Sequence, residues 1–138
     1  FAPEHFARVR QVDTMKRKQF VKGINEIAQE GAIQIFQEFN TGMEEIIVGV
    51  VGVLQFDVLK FRLEKEYNVE IRLDMLPYEY IRWIENKEID MDKLKGTSDM
   101  KKIKDLKGRP LLLFVNSWSI RMVEERNEGL LLSEFGRS

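Results

Sequence analysis

An apolar run at residues 46–53 constrains the fold of this chain more than any other feature. It reads Ile-Ile-Val-Gly-Val-Val-Gly-Val, so an extended strand here carries apolar side chains on both faces. Such a strand belongs at the centre of a sheet that is covered on both sides. The run is much shorter than the roughly 20 apolar residues that cross a bilayer. We therefore predict a buried central strand and no membrane partner.

Residues 54–67, directly after this run, have the spacing of an amphipathic helix. Leu54, Val58 and Phe61 fall on one stripe at helical intervals, and Leu59 and Leu63 widen it. Burying each such side chain stabilises a fold by about 1.5–3 kcal/mol. We expect the whole stripe to face the core.

The remaining segments of the first half complete an ordered pattern. Their periodicity predicts strands at residues 5–12, 32–39 and 69–74 and a helix at residues 15–30. Together with the central strand and its helix, the order is β-α-β-β-α-β. This is the split pattern of ferredoxin-like α+β folds, in which two helices cover one face of an antiparallel sheet. We assign residues 1–77 to this unit, which ends at Pro77.

The second half, residues 78–138, is predicted to be a C-terminal α/β extension packed on that unit. Strands are expected at residues 78–85, 109–115 and 130–135, and a helix that Ser117 caps. Residues 99–107 are expected to form a short helix closed by Gly108, with a solvated face of lysines. Its cations are Lys101, Lys102, Lys104 and Lys107, followed by Arg109.

Composition limits the chemistry that is available. The 138 residues include no cysteine, which excludes disulfides, cysteine-ligated zinc fingers and thiol catalysis and is compatible with a cytoplasmic location. Hydrophobic residues make up 43% of the chain, enough for a sizeable core. The chain begins at Phe1 rather than at a methionine, so we expect a fragment of a longer protein.

The net charge is only −1, but the cations are unevenly distributed. A basic cluster lies near the start of the chain and contains Arg8, Arg10, Lys16, Arg17 and Lys18. Cations in a first helical turn oppose the helix dipole at a cost of about 0.3–1 kcal/mol each, which is tolerable where they contact phosphate. From the residues alone, a merely solvated face is the preferred interpretation.

Motifs for catalysis, nucleotides and metals lack their essential groups. Asn86-Lys87-Glu88 begins like a guanine-recognition NKxD motif, but Ile89 stands where that motif needs aspartate. Asp90-x-Asp92 begins like a calcium loop, but Leu94 and Lys95 occupy the next ligand and glycine positions. The single histidine, His5, has no nucleophile motif to serve. We therefore predict no catalytic, cofactor-binding or metal-binding residue in this chain.

One segment carries a family resemblance. Residues 49–70 read GVVGVLQFDVLKFRLEKEYNVE, a buried strand, a glycine turn, a helix and the start of a strand. The segment resembles the third domain of translational GTPases such as elongation factor G. Its turn, with Gly49, Gly52 and Gln55, is similar to that of the bacterial peptide chain release factor three family. Residues 1–10 and 29–36 carry the same resemblance.

The resemblance implies a C-terminal domain whose parent protein also has a GTPase domain, which would hold GTP and Mg²⁺, and a β-barrel domain. Its partners would be the ribosome, through ribosomal RNA and a small-subunit protein, the parent's own domains and, indirectly, a class I release factor. With this resemblance, contact of the basic cluster with ribosomal RNA carries the same weight as a solvated face, so that its five cations are the candidate ribosome contacts. The domain itself would be a non-enzymatic binding module in the cytoplasm. A small-molecule-sensing regulatory domain is the alternative, because ferredoxin-like sheets host many unrelated functions.

Overall fold

The computed structural model describes residues 1–39 and 45–134. The described residues of the first half form four strands and two helices, with a short 3-10 turn at Thr14–Lys16 before the first helix. In chain order these are β1 (His5–Gln11), α1 (Arg17–Gln29), β2 (Gln34–Glu38), β3 (Glu45–Val50), α2 (Leu54–Tyr67) and β4 (Ile71–Leu76). The predicted order of elements is confirmed.

Residues 46–50 of the apolar run lie in β3 at the centre of this half of the sheet, as expected, but the strand ends at Val50, and Val51 and Val53 are exposed rather than buried. The strand order is β4-β1-β3-β2, and each neighbouring pair is antiparallel. Val48 of β3 lies opposite Ala7 on one side and Ile35 on the other. The split β-α-β-β-α-β connectivity therefore closes into a ferredoxin-like antiparallel arrangement, and the α+β prediction is confirmed.

Both helices pack on one face of these strands. α1 contributes Phe20, Ile24 and Ile27 to the core beneath them. The two helices also approach each other closely at Gly23, where an added Cβ would lie 2.8 Å from atoms of Leu63 and Tyr67. A glycine inside α1, which weakens a helix by about 1 kcal/mol relative to alanine, is thus explained by packing.

The core-facing stripe of α2 differs from the prediction. Phe56, Leu59 and Leu63 are buried, whereas Leu54, Val58 and Phe61 are 72%, 44% and 61% exposed. The prediction that Leu54, Val58 and Phe61 face the core is wrong. The helix has apolar residues on two opposite sides, and periodicity alone does not tell which side packs on the sheet.

The second half extends the same sheet. Its elements are β5 (Tyr80–Ile84), β6 (Lys101–Asp105), β7 (Pro110–Phe114), α3 (Ser117–Arg126) and β8 (Leu132–Ser133). β6 pairs with β2, so that one eight-stranded sheet has the order β4-β1-β3-β2-β6-β7-β5-β8. Pro77 lies between β4 and β5, and the division of the chain into two domains there stays a prediction.

The extension covers the face of the first half that the helices leave open. Phe6, Phe36 and Ile47 form one buried cluster with apolar residues of the later strands, which are Ile81, Ile103, Leu111 and Leu113. On the outer side of these later strands a third cluster packs beneath α3, where Ile120 and Val123 contribute. Helices therefore cover the two outer faces, and β-strands meet in between.

Residues 99–107 do not form the predicted helix. Residues 101–105 are strand β6, in which Ile103 and Asp105 are buried. The charges that predicted a solvated helix have partners instead: Lys102 Nζ donates to the carbonyls of Met91 and Leu94 at 2.6 and 2.9 Å. Gly108, at φ +82°, serves the turn between β6 and β7 rather than a helix end.

The cap of α3 is displaced by one residue from the prediction. Asn116 rather than Ser117 caps the helix, because its side chain accepts a hydrogen bond from the backbone N–H of Ser119 at 2.9 Å. Asparagine and serine both serve this role, and the choice between neighbours depends on backbone conformation.

Candidate functional site

Arg8, one of the five cations predicted to contact the ribosome, belongs to a part-buried ion cluster. Its guanidinium pairs with Glu38 of β2, which also accepts from Lys101 Nζ at 3.1 Å. Burial opposes ionisation of Glu38, but the two cations prevail and hold the pKa of this carboxyl below its usual value. The cluster joins β1, β2 and β6. Arg8 is therefore engaged in an ion pair within the fold.

Arg10 lies on the same face of β1 but is half exposed. Its Nε is 3.4 Å from a carboxylate oxygen of Asp74 and 3.9 Å from one of Glu45. The acids on the two neighbouring strands thus compensate its charge. Screened pairs of this kind contribute about 0–1 kcal/mol to stability.

Lys16, Arg17 and Lys18 lie together where α1 begins. Asp13 accepts a hydrogen bond from Met15 N at 2.9 Å and so starts the 3-10 turn that leads into the helix. Lys16 Nζ donates to the carbonyl of Asn68, at the C-terminal end of α2, at 3.1 Å. Arg17 and Lys18 are exposed. The first turn of α1 contains no acidic residue, so these charges oppose the helix dipole there.

A fourth cation extends this group. Lys22 is exposed and follows Lys18 by four residues, so both side chains lie on the same side of α1. The helical spacing could have added it to the predicted contacts. We define residues 16–18 together with Lys22 as the α1 basic surface. A role for the five predicted cations in binding stays a prediction.

Two cations of the lysine-rich group at residues 101–109, Lys104 and Arg109, contact aromatic side chains within the fold. Lys104 Nζ lies 5.8 Å from the ring centroid of Phe39, and the Arg109 guanidinium lies 4.9 Å from the ring centroid of Trp83. Arg109 Nε also donates to the buried Asp105 carboxylate at 2.6 Å. These cations hold the β6–β7 hairpin in place.

Gly49 and Gly52, which precede α2, differ in how closely other atoms of the domain approach them. At Gly49 an added Cβ would lie 2.7 Å from Pro3 Cβ and 3.1 Å from Phe36 Cε2, so the strand needs glycine for close packing. At Gly52 no atom lies within 4 Å of an added Cβ. Gln55 continues the turn through its N–H, which donates to the Gly52 carbonyl at 3.0 Å.

The Asn86 side chain is used by the fold. Its Nδ2 donates to the Gly129 carbonyl at 2.9 Å, and its Oδ1 accepts from Leu131 N at 2.8 Å. Asp90 Oδ1 likewise accepts from the N–H of Asp92 at 3.0 Å, as in an Asx turn. Both resemblances to nucleotide or calcium motifs are thus accounted for by local hydrogen bonds.

Two structural features bear on ligand binding and one on membrane insertion. Within residues 1–39 and 45–134, no three His, Cys, Asp or Glu side chains are grouped so as to hold a metal ion. A cleft of about 750 Å³ beside residues 87–92 is wide open to solvent, whereas small-molecule sites bury most of their ligand. In the same described ranges, no helix combines the length and apolar character required to cross a membrane.

The fold defines an α+β domain built on a ferredoxin-like unit. Comparison with known proteins identifies it further. The sequence profile described as "Class II release factor RF3, C-terminal domain" matches residues 1–124, and the chain belongs to this family.

Similar proteins come from several bacteria. Peptide chain release factor 3 of Symbiobacterium thermophilum is 48% identical over 131 residues, which cover 95% of this chain and 25% of that protein. The proteins of the same name from Gloeobacter violaceus and Nostoc punctiforme are 40% and 41% identical over 97% and 96% of the chain, and 25% and 24% of their own lengths. The chain therefore spans about a quarter of the curated relatives that it matches.

Proposed function

We propose that this chain is the ribosome-binding domain of a translation-termination factor and that the α1 basic surface contacts phosphates of ribosomal RNA. The observation that carries the proposal is the run of Lys16, Arg17 and Lys18 at the start of a helix whose first turn has no acidic residue. An isolated helix disfavours this arrangement. Next to a polyanionic partner, the same cations contribute favourably to the free energy of binding.

The chemistry of this surface suits positioning rather than base reading. Lysine and arginine contacts to phosphate fix the orientation of a protein on nucleic acid and carry no direct sequence information. The two other predicted cations, Arg8 and Arg10, have acidic partners on neighbouring strands. We assign the main contribution to α1, where Lys18 and Lys22 are exposed, and a minor one to the half-exposed Arg10.

The family supports the larger context. The relatives are named peptide chain release factor 3, and about three quarters of their length lies outside the match. We propose that the longer protein is a GTPase, with GTP and Mg²⁺ held in a preceding domain. In this proposal the whole factor promotes the departure of class I release factors from the ribosome, and the present domain contributes part of its affinity for the ribosome. Its partners would be ribosomal RNA, a small-subunit protein and the factor's own other domains.

The test is the charge reversal Lys18→Glu in the full-length factor, with affinity for ribosomes measured at several salt concentrations. We expect weaker binding and a flatter slope of log K against log salt, by about 0.7–0.9 for each phosphate that the protein no longer neutralises. Lys93→Glu is the matched control, because the Lys93 side chain is 86% exposed and lies in the second half of the chain. Equal affinities and slopes for Lys18→Glu and Lys93→Glu would refute the assignment of the α1 basic surface.

A further inference from the structure

A cleft of about 390 Å³ is lined by residues from the end of α1, the start of β2 and the turn that joins β6 to β7. Ala28 and Ile33 lie at the first two of these places and Leu106 at the third, and Trp83 of β5 also lines the cleft. Leu106 is apolar and yet 50% exposed. The volume is within the range of about 300–1,000 Å³ that is typical of binding clefts. The cleft therefore has room for a further apolar group.

The shape of the cleft follows from the point at which β6 leaves β2. Asp105 lies opposite Phe36, and the β6–β7 turn begins directly after Asp105. Gln34 and Ile35, which come before Phe36 in β2, line the cleft. In the part of the chain that the structure describes, the strand that pairs with Gln34 and Ile35 is β3, on one side alone. The cleft thus runs along a short open edge of the sheet, which suits an extended segment of polypeptide.

The first residue of the chain already lies in this cleft. Phe1 is among the lining residues and is 56% exposed. Its carbonyl accepts a hydrogen bond from Gln34 Nε2 at 2.6 Å, and Pro3 packs against Gly49 of β3. Residues 1–3 are therefore fixed on β3 and β2. Because consecutive Cα atoms are about 3.8 Å apart, a residue that precedes Phe1 starts in the cleft or at its rim.

The charged groups in the lining are engaged with one another. The Asp105 carboxylate accepts from the backbone N–H groups of Lys107 and Arg109, each at 2.9 Å, and from Arg109 Nε at 2.6 Å. Polar groups that are already paired contribute little to the binding of a polar ligand. The cleft therefore offers an occupant mainly the apolar surface of Phe1 and Leu106.

The relatives supply an occupant for the cleft. The matching profile is described as a C-terminal domain, and the match covers only 25% of the Symbiobacterium protein. We propose that, in the full-length factor, the segment directly before Phe1 lies in this cleft in an extended form and packs an apolar side chain against Leu106. The proposal rests on the longer protein described under the proposed function.

The small size of the cleft is sufficient for such an occupant. A segment of the same polypeptide needs little contact area, because a short tether supplies an effective concentration in the millimolar range. With the segment bound, the domain is joined to the preceding part of the factor by a held connection and not by a free linker. The orientation of the two parts is thereby restricted.

The first experiment measures whether Leu106 is covered in the full-length factor without ribosomes. This chain contains no cysteine, so Leu106→Cys introduces a thiol whose maleimide labelling is followed on its own peptide by mass spectrometry. Each rate is divided by the rate in the denatured factor. Lys93→Cys is the control, because the Lys93 side chain is 86% exposed and does not line the cleft. A segment that covers the cleft in about 90% of the molecules slows labelling about tenfold, and we expect this ratio between the two variants.

The second experiment identifies the occupant with a photo-crosslinker at the rim of the cleft. In the variant Lys107→p-benzoylphenylalanine, we expect irradiation to join the β6–β7 turn to the segment before Phe1. Because an extended residue spans at most about 3.6 Å, the crosslinked residues should lie within about five positions of Phe1.

Two results would overturn the proposal. Labelling of Leu106→Cys as fast as that of Lys93→Cys would show that the cleft is uncovered. Slow labelling without a crosslink to this segment would show a different occupant: another part of the factor, a second copy of it or, where no crosslink forms at all, a small molecule. Because no ribosomes are present, both results are independent of whether Lys18→Glu weakens ribosome binding.

Discussion

Two alanine substitutions on α2, at Leu63 and at Phe61, should differ strongly in how much they destabilise this chain. Leu63 is fully buried between α1 and the sheet, and Leu63→Ala leaves a cavity that costs about 2–5 kcal/mol. Phe61, 61% exposed, contributes little to the core. Phe61→Ala should therefore change the free energy of unfolding by less than about 0.5 kcal/mol.

Urea unfolding of the 138-residue chain, followed by circular dichroism, measures this difference. With a slope of about 2 kcal/mol per molar urea, Leu63→Ala should lower the midpoint by about 1–2.5 M, and Phe61→Ala by no more than about 0.3 M. Val58→Ala serves as a second exposed substitution on the same helix. If Phe61→Ala and Leu63→Ala proved equally destabilising, the orientation of α2 described above would be wrong.

Two further predictions concern the glycine turn and the ion cluster. Gly49→Ala should destabilise the chain by about 1–3 kcal/mol, because its Cβ would lie 2.7 Å from Pro3. Gly52→Ala should be neutral or stabilising by up to about 1 kcal/mol. Thermal unfolding compares the two variants, and equal melting temperatures would contradict the packing argument. Glu38 has a lowered pKa in the fold, so its stabilisation is present above its unfolded pKa of about 4.3 and is lost as pH falls through the lower folded value. Glu38→Gln should cost up to about 2 kcal/mol at pH 7 and less at pH 3, measured by urea unfolding at both pH values; a cost that does not depend on pH would exclude the ionic contribution.

The first half of the fold was predictable because its signals are local. The apolar run at 46–53 predicts a central strand, which the structure has at Glu45–Val50, three residues shorter at its C-terminal end than the run. The α2 bounds found in the structure, Leu54–Tyr67, are those that the periodicity predicts. The orientation of α2 was not predictable, because Phe56 and Phe61 are equally apolar and only the layers around the helix distinguish them. Residues 101–105 were misassigned because lysines suit an exposed helix, while the pairing of Lys101 with Glu38, 63 positions away, depends on the tertiary fold.

In the candidate site too, features that depend on neighbouring residues were predictable and features that depend on distant residues were not. Lys16, Arg17 and Lys18 are adjacent in sequence, so their proximity follows from the sequence itself. The engagement of Arg8 with Glu38 joins residues 30 positions apart and depends on the pairing of strands. Sequence patterns therefore locate a cluster of cations and do not show which of them the fold has already neutralised.

The shared cluster between the two halves of the sheet has a consequence for synthesis of the chain. The β-α-β-β-α-β unit is complete once Leu76 has been made, but the buried apolar cluster that contains Phe6, Phe36 and Ile47 also needs Ile81, Ile103, Leu111 and Leu113, which are made later. At about 5–20 residues per second, the nascent unit waits a few seconds with this apolar face uncovered. The later strands thus protect the apolar face of the growing chain from contact with other molecules. A stalled or truncated product that ends near Pro77 should be prone to aggregation.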